Sequence, residues 1–155
     1  MKKYAIIFIA CTFALSIISF KFSKKSKIDS PEIFCQKVTL LCANFGKQGN
    51  KVINNTAEYN QLFSNVSPSS SCASYVPEAI DFDKYTLVGV FTSTAGCKNP
   101  KGEYSATKDS ETGEVAFNVT ITQSGLCKKM NYYKIWCIIP KVNDPNKINF
   151  IIIKK

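Results

Sequence analysis

The sequence contains no histidine and no arginine. Without histidine the chain cannot build a Ser-His-Asp or Cys-His pair, and it has no imidazole to transfer protons near neutral pH. Without arginine it lacks the guanidinium group that forms paired hydrogen bonds with phosphate or guanine. We therefore expect no catalytic residue, and we expect the chain not to be an enzyme.

The positive charge of the chain is concentrated at its beginning. The formal net charge is +9, but six of the 20 lysines lie at or before Lys27, where no acidic residue occurs. From Ile28 onward, 14 lysines accompany 11 acidic residues. These lysines are scattered and form no basic stripe interleaved with aromatic residues, so we expect no nucleic-acid partner.

The first residues have the pattern of an export segment. Lys2 and Lys3 precede an apolar run from Tyr4 to Phe20. We interpret residues 1–20 as a signal peptide or an uncleaved membrane anchor, and residues 21–31 as a polar linker rich in lysine and serine. Residues 32–155 then form one exported domain in the periplasm, on the outer cell surface or in the medium. Cys11, after Ile9-Ala10, is a candidate lipidation site, although the apolar run continues beyond it.

Six further cysteines predict a disulfide framework, because an even number in a small exported domain is typical of one. A metal site is the alternative, but there is no C-x-x-C pair and only thiolates could serve as ligands. We expect no metal and no cofactor. We favour the pairs Cys35–Cys42, Cys127–Cys137 and Cys72–Cys97 among those that the sequence leaves open.

One helix and several strands can be read from hydrophobic periodicity. Asn55 and Glu58 have the spacing of a capping box, and an apolar stripe follows at helical spacing: Tyr59, Leu62, Phe63 and Val66. After Ile80 the chain reads as strands, the clearest being residues 115–122, where apolar and polar residues alternate. We predict an α+β class dominated by β-structure: an antiparallel meander of four to six strands with one packed helix.

Two carboxylates, Asp81 and Asp83, lie two residues apart before the apolar strand at 85–92. Such a pair can act in acid-base chemistry or bind calcium, but the segment lacks the dense oxygen ligands of a calcium loop. We interpret the two residues as a solvated pair that flanks the strand.

Four segments of the chain form a recognisable series: Asp81-Phe82 before TLVGVF, the turn Ser93 to Gly96, the strand VAFNVTIT, and IIPK before INFIII. In these segments the chain resembles the PrcB-like domains, named for a protein of a bacterial surface protease complex. The resemblance covers residues 55 to 153. It implies an exported, non-catalytic protein that associates with, or stabilises, a protease or another envelope protein.

Three functions remain open at this stage. The first is binding to another envelope or secreted protein through the 93–101 turn, with Thr94, Ala95, Gly96 and Lys98 as contact residues, or through a strand edge. The second is protease inhibition by the same turn. The third is redox chemistry of a free Cys97 thiol. If residues 1–20 are retained or lipidated, the membrane is a further partner.

Overall fold

The computed structural model describes residues 30–64 and 71–155. The predicted leader with Cys11, all but the last two residues of the predicted linker, and Val66 of the predicted helix lie outside these residues. The elements are β1 (Glu32–Ile33), β2 (Gln36–Val38), β3 (Gly49–Ile53), α1 (Thr56–Gln61), β4 (Tyr85–Ala95), β5 (Lys101–Lys108), β6 (Val115–Thr122), β7 (Met130–Pro140), a 3-10 helix (Pro145–Lys147) and β8 (Ile148–Lys154).

The strands form two four-stranded sheets. In the outer sheet the order is β1-β5-β6-β8, and in the central sheet it is β2-β7-β4-β3. Neighbouring strands are antiparallel except for β6 and β8, which run parallel. The β-dominated class with one short helix is confirmed, but the predicted meander is wrong, because β4 and β5 belong to different sheets.

The first part of β4, in the central sheet, is covered on both faces. Val88 and Val90 of β4 pack toward the outer sheet in one hydrophobic cluster, together with Phe117 of β6. Leu87, on the opposite face of β4, belongs to a second cluster that includes Tyr59 of α1. A strand buried on both faces reads as a continuous apolar run rather than an alternating one, which explains the sequence of β4.

The alternation of apolar and polar residues in β6 correctly predicted which side chains are buried and which lie on the more exposed face. Val115, Phe117, Val119 and Ile121 are at most 1% exposed. The helix begins as predicted, because the Asn55 side chain accepts a hydrogen bond from the Glu58 amide at 2.8 Å. Tyr59 and Leu62 of the predicted apolar stripe are buried, but the helix is shorter than predicted, because it ends at Gln61 and a turn follows that contains Leu62 and the half-buried Phe63.

All six cysteines of the described residues are in disulfides, but the pairing that we favoured is wrong. The bonds are Cys35–Cys137, Cys42–Cys72 and Cys97–Cys127. Cys127 and Cys137 cannot pair, because most of the chain between them is extended β7, which rises about 3.3 Å per residue. Cys35 instead lies where the chain crosses from the outer to the central sheet, beside β7.

Three disulfides in a domain of this size are typical of an oxidising, extracellular environment. In residues 30–64 and 71–155, no helix has the length and apolar character needed to cross a bilayer.

Candidate partner-binding surface

Two loops meet at the end of the domain where β4 ends and β7 begins. They are residues 96–100 and 123–129, and the Cys97–Cys127 disulfide joins them with a Cα–Cα distance of 4.8 Å. The Cys97 amide donates to the Ser124 carbonyl at 2.6 Å, and the Gly96 amide donates to the Lys129 carbonyl at 3.0 Å. Covalent and hydrogen bonds therefore hold both loops in one fixed arrangement.

The predicted contact residues fall into two groups. Thr94 is buried, and its hydroxyl bonds the Gln123 side chain at 2.7 Å. Gly96 is also buried, and its carbonyl accepts a hydrogen bond from Asn131 Nδ2 at 2.8 Å. These two residues support the loops from inside, whereas Ala95 and Lys98 are exposed. A contact of Ala95 and Lys98 with a partner stays a prediction.

The predicted turn at 93–101 is shorter in the structure. Residues 93 to 95 continue β4 and pair with Tyr132, Asn131 and Met130 of β7. The small polar residues of this segment predicted a turn. The segment is extended instead, because it pairs with the long strand β7 and its side chains form hydrogen bonds. One of these hydrogen bonds joins Ser93 Oγ to the Gln48 side chain at 3.0 Å. Only residues 96–100 remain as a loop.

Four lysines surround the joined loops. Lys98 follows Cys97, Lys128 and Lys129 follow Cys127, and Lys101 pairs with Thr122 at the start of β5. Neither loop contains an acidic residue. At the tip of the second loop, Leu126 is 101% exposed. We call Lys98, Lys101, Lys128 and Lys129 with Leu126 the lysine pole.

Acidic residues gather at the opposite end of the domain, where β4 and β8 begin and where β5 turns into β6. We call this group the acidic pole: Asp81, Asp83, Asp109, Glu111, Glu114 and Asp144. A hydrogen bond from Lys84, 2.9 Å away, lowers the pKa of Asp81. The pKa of Asp109 is lowered by hydrogen bonds from the amides of Thr112 and Glu111.

A row of aromatic and apolar side chains lies on the outer face of the central sheet, next to the lysine pole. We call Phe91, Ala95, Met130, Tyr132 and Lys134 the aromatic strip. Met130 is 55% exposed and Tyr132 is 62% exposed. The rings of Phe91 and Tyr132 are 5.8 Å apart, and Lys134 Nζ lies 4.8 Å from the centre of the Phe91 ring.

Of the strip, the sequence reading singled out only Ala95 as a contact. Tyr132 and Lys134 lie in the part of the chain that is predicted to form strands, but that prediction did not say which side chains of the strand face solvent. The relevant signal was the alternation of Tyr132 and Lys134 with Tyr133, because Tyr133 points into the domain against Gly102.

A surface cleft of about 450 Å³ lies between β3, α1 and the loop at 44–46. Its lining includes Lys51 and Glu58, but the Glu58 carboxylate already accepts a hydrogen bond from the Asn54 amide at 3.1 Å. None of the predicted contact residues lies in this cleft.

The described part of the chain contains no group of three or more cysteine, aspartate or glutamate side chains placed to hold a metal ion. Cys97, the candidate redox thiol, is bonded to Cys127 in the structure. Asp81 and Asp83 flank β4 at the exposed acidic pole, where the Asp83 amide donates to the Asp81 carboxylate at 3.1 Å.

The comparisons with known proteins give no relative from which a function could be transferred. No family model, no curated protein and no solved structure matches the chain.

Proposed function

We propose that this chain is an exported, non-catalytic domain that binds another protein of the cell envelope or the extracellular space. The proposal is supported by one observation above all, the exposure of Tyr132 and Met130 on a rigid strand. Tyrosine and methionine are enriched in protein interfaces, and a tyrosine loses little conformational entropy when it is buried.

The aromatic strip is preorganised for contact. Its residues belong to β4 and β7, which pair along their whole length from Tyr85–Pro140 to Ala95–Met130. The Cys97–Cys127 bond closes the loops at the end of both strands. A surface that is already ordered loses little freedom on association, so more of its contact energy appears as affinity.

The charge of the surface indicates the chemistry of the partner. On the face of the central sheet that carries the aromatic strip, the strands contain Lys51 and Lys134 but no aspartate or glutamate. Both ammonium groups lie over aromatic rings, Lys51 over Phe45 at 5.8 Å and Lys134 over Phe91 at 4.8 Å. We expect the partner to present acidic side chains around an apolar centre. The PrcB-like resemblance suggests a protease as the class of partner.

The test compares three full-length baits: the wild-type chain, Tyr132→Ser and Phe34→Ser. Phe34 is the matched control, because it is also an exposed aromatic residue, at 58%, and lies in the turn between β1 and β2. Each bait is immobilised and exposed to solubilised envelope and secreted fractions of the native source. Equal melting temperatures establish that all three are folded.

We expect one protein to be retained by the wild type and by Phe34→Ser, and to be reduced more than about tenfold with Tyr132→Ser, as for a central interface residue. Equal retention by all three baits, or no retention above background, would contradict the proposal.

A further inference from the structure

The two ends of the domain carry charge of opposite sign. The proposed protein contact, through the aromatic strip, does not explain this difference. The lysine pole carries four lysines in and beside loops that have no acidic residue, whereas six acidic residues lie at the acidic pole. At the acidic pole, Lys84 already pairs with Asp81, and Lys147 Nζ donates to the Thr112 carbonyl at 3.0 Å. Lys108 and Lys141 also lie at this end, so its six acidic residues outnumber four lysines. The domain is therefore positive at the lysine pole and more weakly negative at the acidic pole.

The exposed leucine at the centre of the lysine pole is the second observation. Leu126 is 101% exposed. An isolated exposed leucine is ordinary, but this one lies at the tip of a fixed loop, close in sequence to Lys128 and Lys129 and joined through the disulfide to the loop that carries Lys98. The loop is held by the Cys97–Cys127 bond and by the hydrogen bond between Cys97 and Ser124.

From these observations we propose that the lysine pole docks on the surface of an anionic lipid bilayer and inserts Leu126 at the boundary between the headgroups and the acyl chains. Phosphate groups of the lipid would accept hydrogen bonds from Lys98, Lys128 and Lys129, and long lysine side chains can keep their charge at headgroup level. The bilayer interface supplies both environments at once: negative charge for the lysines and an apolar boundary for the leucine.

A soluble polyanion is a weaker match to this surface. It would attract the four lysines but would offer no apolar environment for Leu126. The acidic pole contributes to orientation, because an anionic surface repels it and attracts the opposite end. The aromatic strip, on the side of the domain, stays accessible to a protein partner when the lysine pole faces the lipid.

The test places a tryptophan at the proposed insertion point in the full-length chain. Leu126→Trp is the probe, and Leu41→Trp is the matched control, because Leu41 is also an exposed leucine, at 77%, outside the lysine pole. Both variants are mixed with vesicles of phosphatidylcholine and phosphatidylglycerol whose acyl chains carry bromine, which quenches tryptophan that reaches them. Residues 1–29 are the same in all variants, so any affinity of their own cancels in the comparison.

We expect quenching of the Leu126→Trp emission and none for Leu41→Trp beyond the wild-type background from Trp136. The quenching is lost in phosphatidylcholine vesicles, at high salt, and when Lys128→Gln and Lys129→Gln are added to the probe.

Three outcomes would overturn the proposal. The first is equal quenching of the two probes, and the second is equal quenching of Leu126→Trp in neutral and anionic vesicles. The third combines two results: no quenching in any vesicle, and binding to polyglutamate that Leu126→Ser does not change. This combination would make the lysine pole a site for a soluble polyanion or an acidic protein.

Discussion

Gly125 lies directly against the disulfide sulfur of Cys97. A Cβ atom at position 125 would be 2.5 Å from Cys97 Sγ, and the φ angle of Gly125 is +79°. Both the backbone conformation and the space exclude a side chain. The residue before Leu126 therefore has to be glycine for the second loop to close over the first.

Substitution of this glycine tests the packing of the two loops. We expect Gly125→Ala to lower the free energy of unfolding by about 2–4 kcal/mol, because a left-handed backbone and an overpacked contact are combined. Gly46→Ala is the control, since Gly46 has a φ of +72° but nothing within 4 Å of its Cβ position. We expect about 1 kcal/mol for the control in urea denaturation. Equal losses would show that the disulfide does not restrict position 125.

A buried threonine tests the contact between the start of β4 and the segment after β7. The Thr86 hydroxyl donates to Asn54 Oδ1 at 2.5 Å and accepts from the Val142 amide at 3.0 Å, and Thr86 is completely buried. We expect Thr86→Val to destabilise the domain by about 1–3 kcal/mol, because it leaves buried polar groups without a partner. The same change at Thr120, on the wet face of β6, should stay within about 0.5 kcal/mol. Similar melting temperatures for the two variants would contradict this account.

The ionisation of Tyr59 makes the stability of the domain depend on pH in the alkaline range. Burial, followed by the nearby Tyr75 and Glu78, raises the pKa of Tyr59 from 10.0 to about 12. Its hydroxyl donates to the Glu78 carbonyl at 2.8 Å. Because the folded state holds this proton more tightly than the unfolded state, the stabilisation is present below pH 10 and is lost as the pH rises toward 12.

Comparison with Tyr59→Phe isolates that contribution. At pH 7 the variant should be less stable by about 1 kcal/mol, the value of one hydrogen bond. The difference between wild type and variant should then shrink between pH 10 and 12 in denaturant titrations. A constant difference across this range would show that Tyr59 ionises as it does in the unfolded chain.

Much of the fold was predictable because its signals are local. The alternation of β6 and the Asn55–Glu58 cap depend on residues within one segment, and both are confirmed. Strands β1, β2 and β3 were missed, because they have two, three and five residues and no clear period. Their pairing is decided by long neighbouring strands, which a short segment does not reveal.

The arrangement of strands in two sheets was not predictable from the same signals. Strand β8 runs parallel to β6, and the chain changes sheets at Cys35, between β1 and β2. Neither feature produces a pattern that can be recognised in the sequence of a single segment. The disulfide partners follow from this arrangement, which is why pairing by proximity in the sequence failed.

The predicted contact residues lie at the end of β4, where the structure shows two joined loops, but the sequence did not reveal which of them are exposed. Thr94 and Gly96 looked like turn residues and are instead buried by contacts with the 123–131 segment. Leu126 and Tyr132 become prominent only when the two loops and the two central strands are brought together.

The most direct test of this account is the disulfide map of the protein taken from its native compartment. The fixed loops, the bonded state of Cys97 and the inference of an oxidising, extracellular environment all rest on the same three bonds. Digestion without reduction should yield linked peptides for Cys35–Cys137, Cys42–Cys72 and Cys97–Cys127, with none of these six thiols alkylated before reduction. A free Cys97, or a peptide that joins Cys72 to Cys97, would contradict the account.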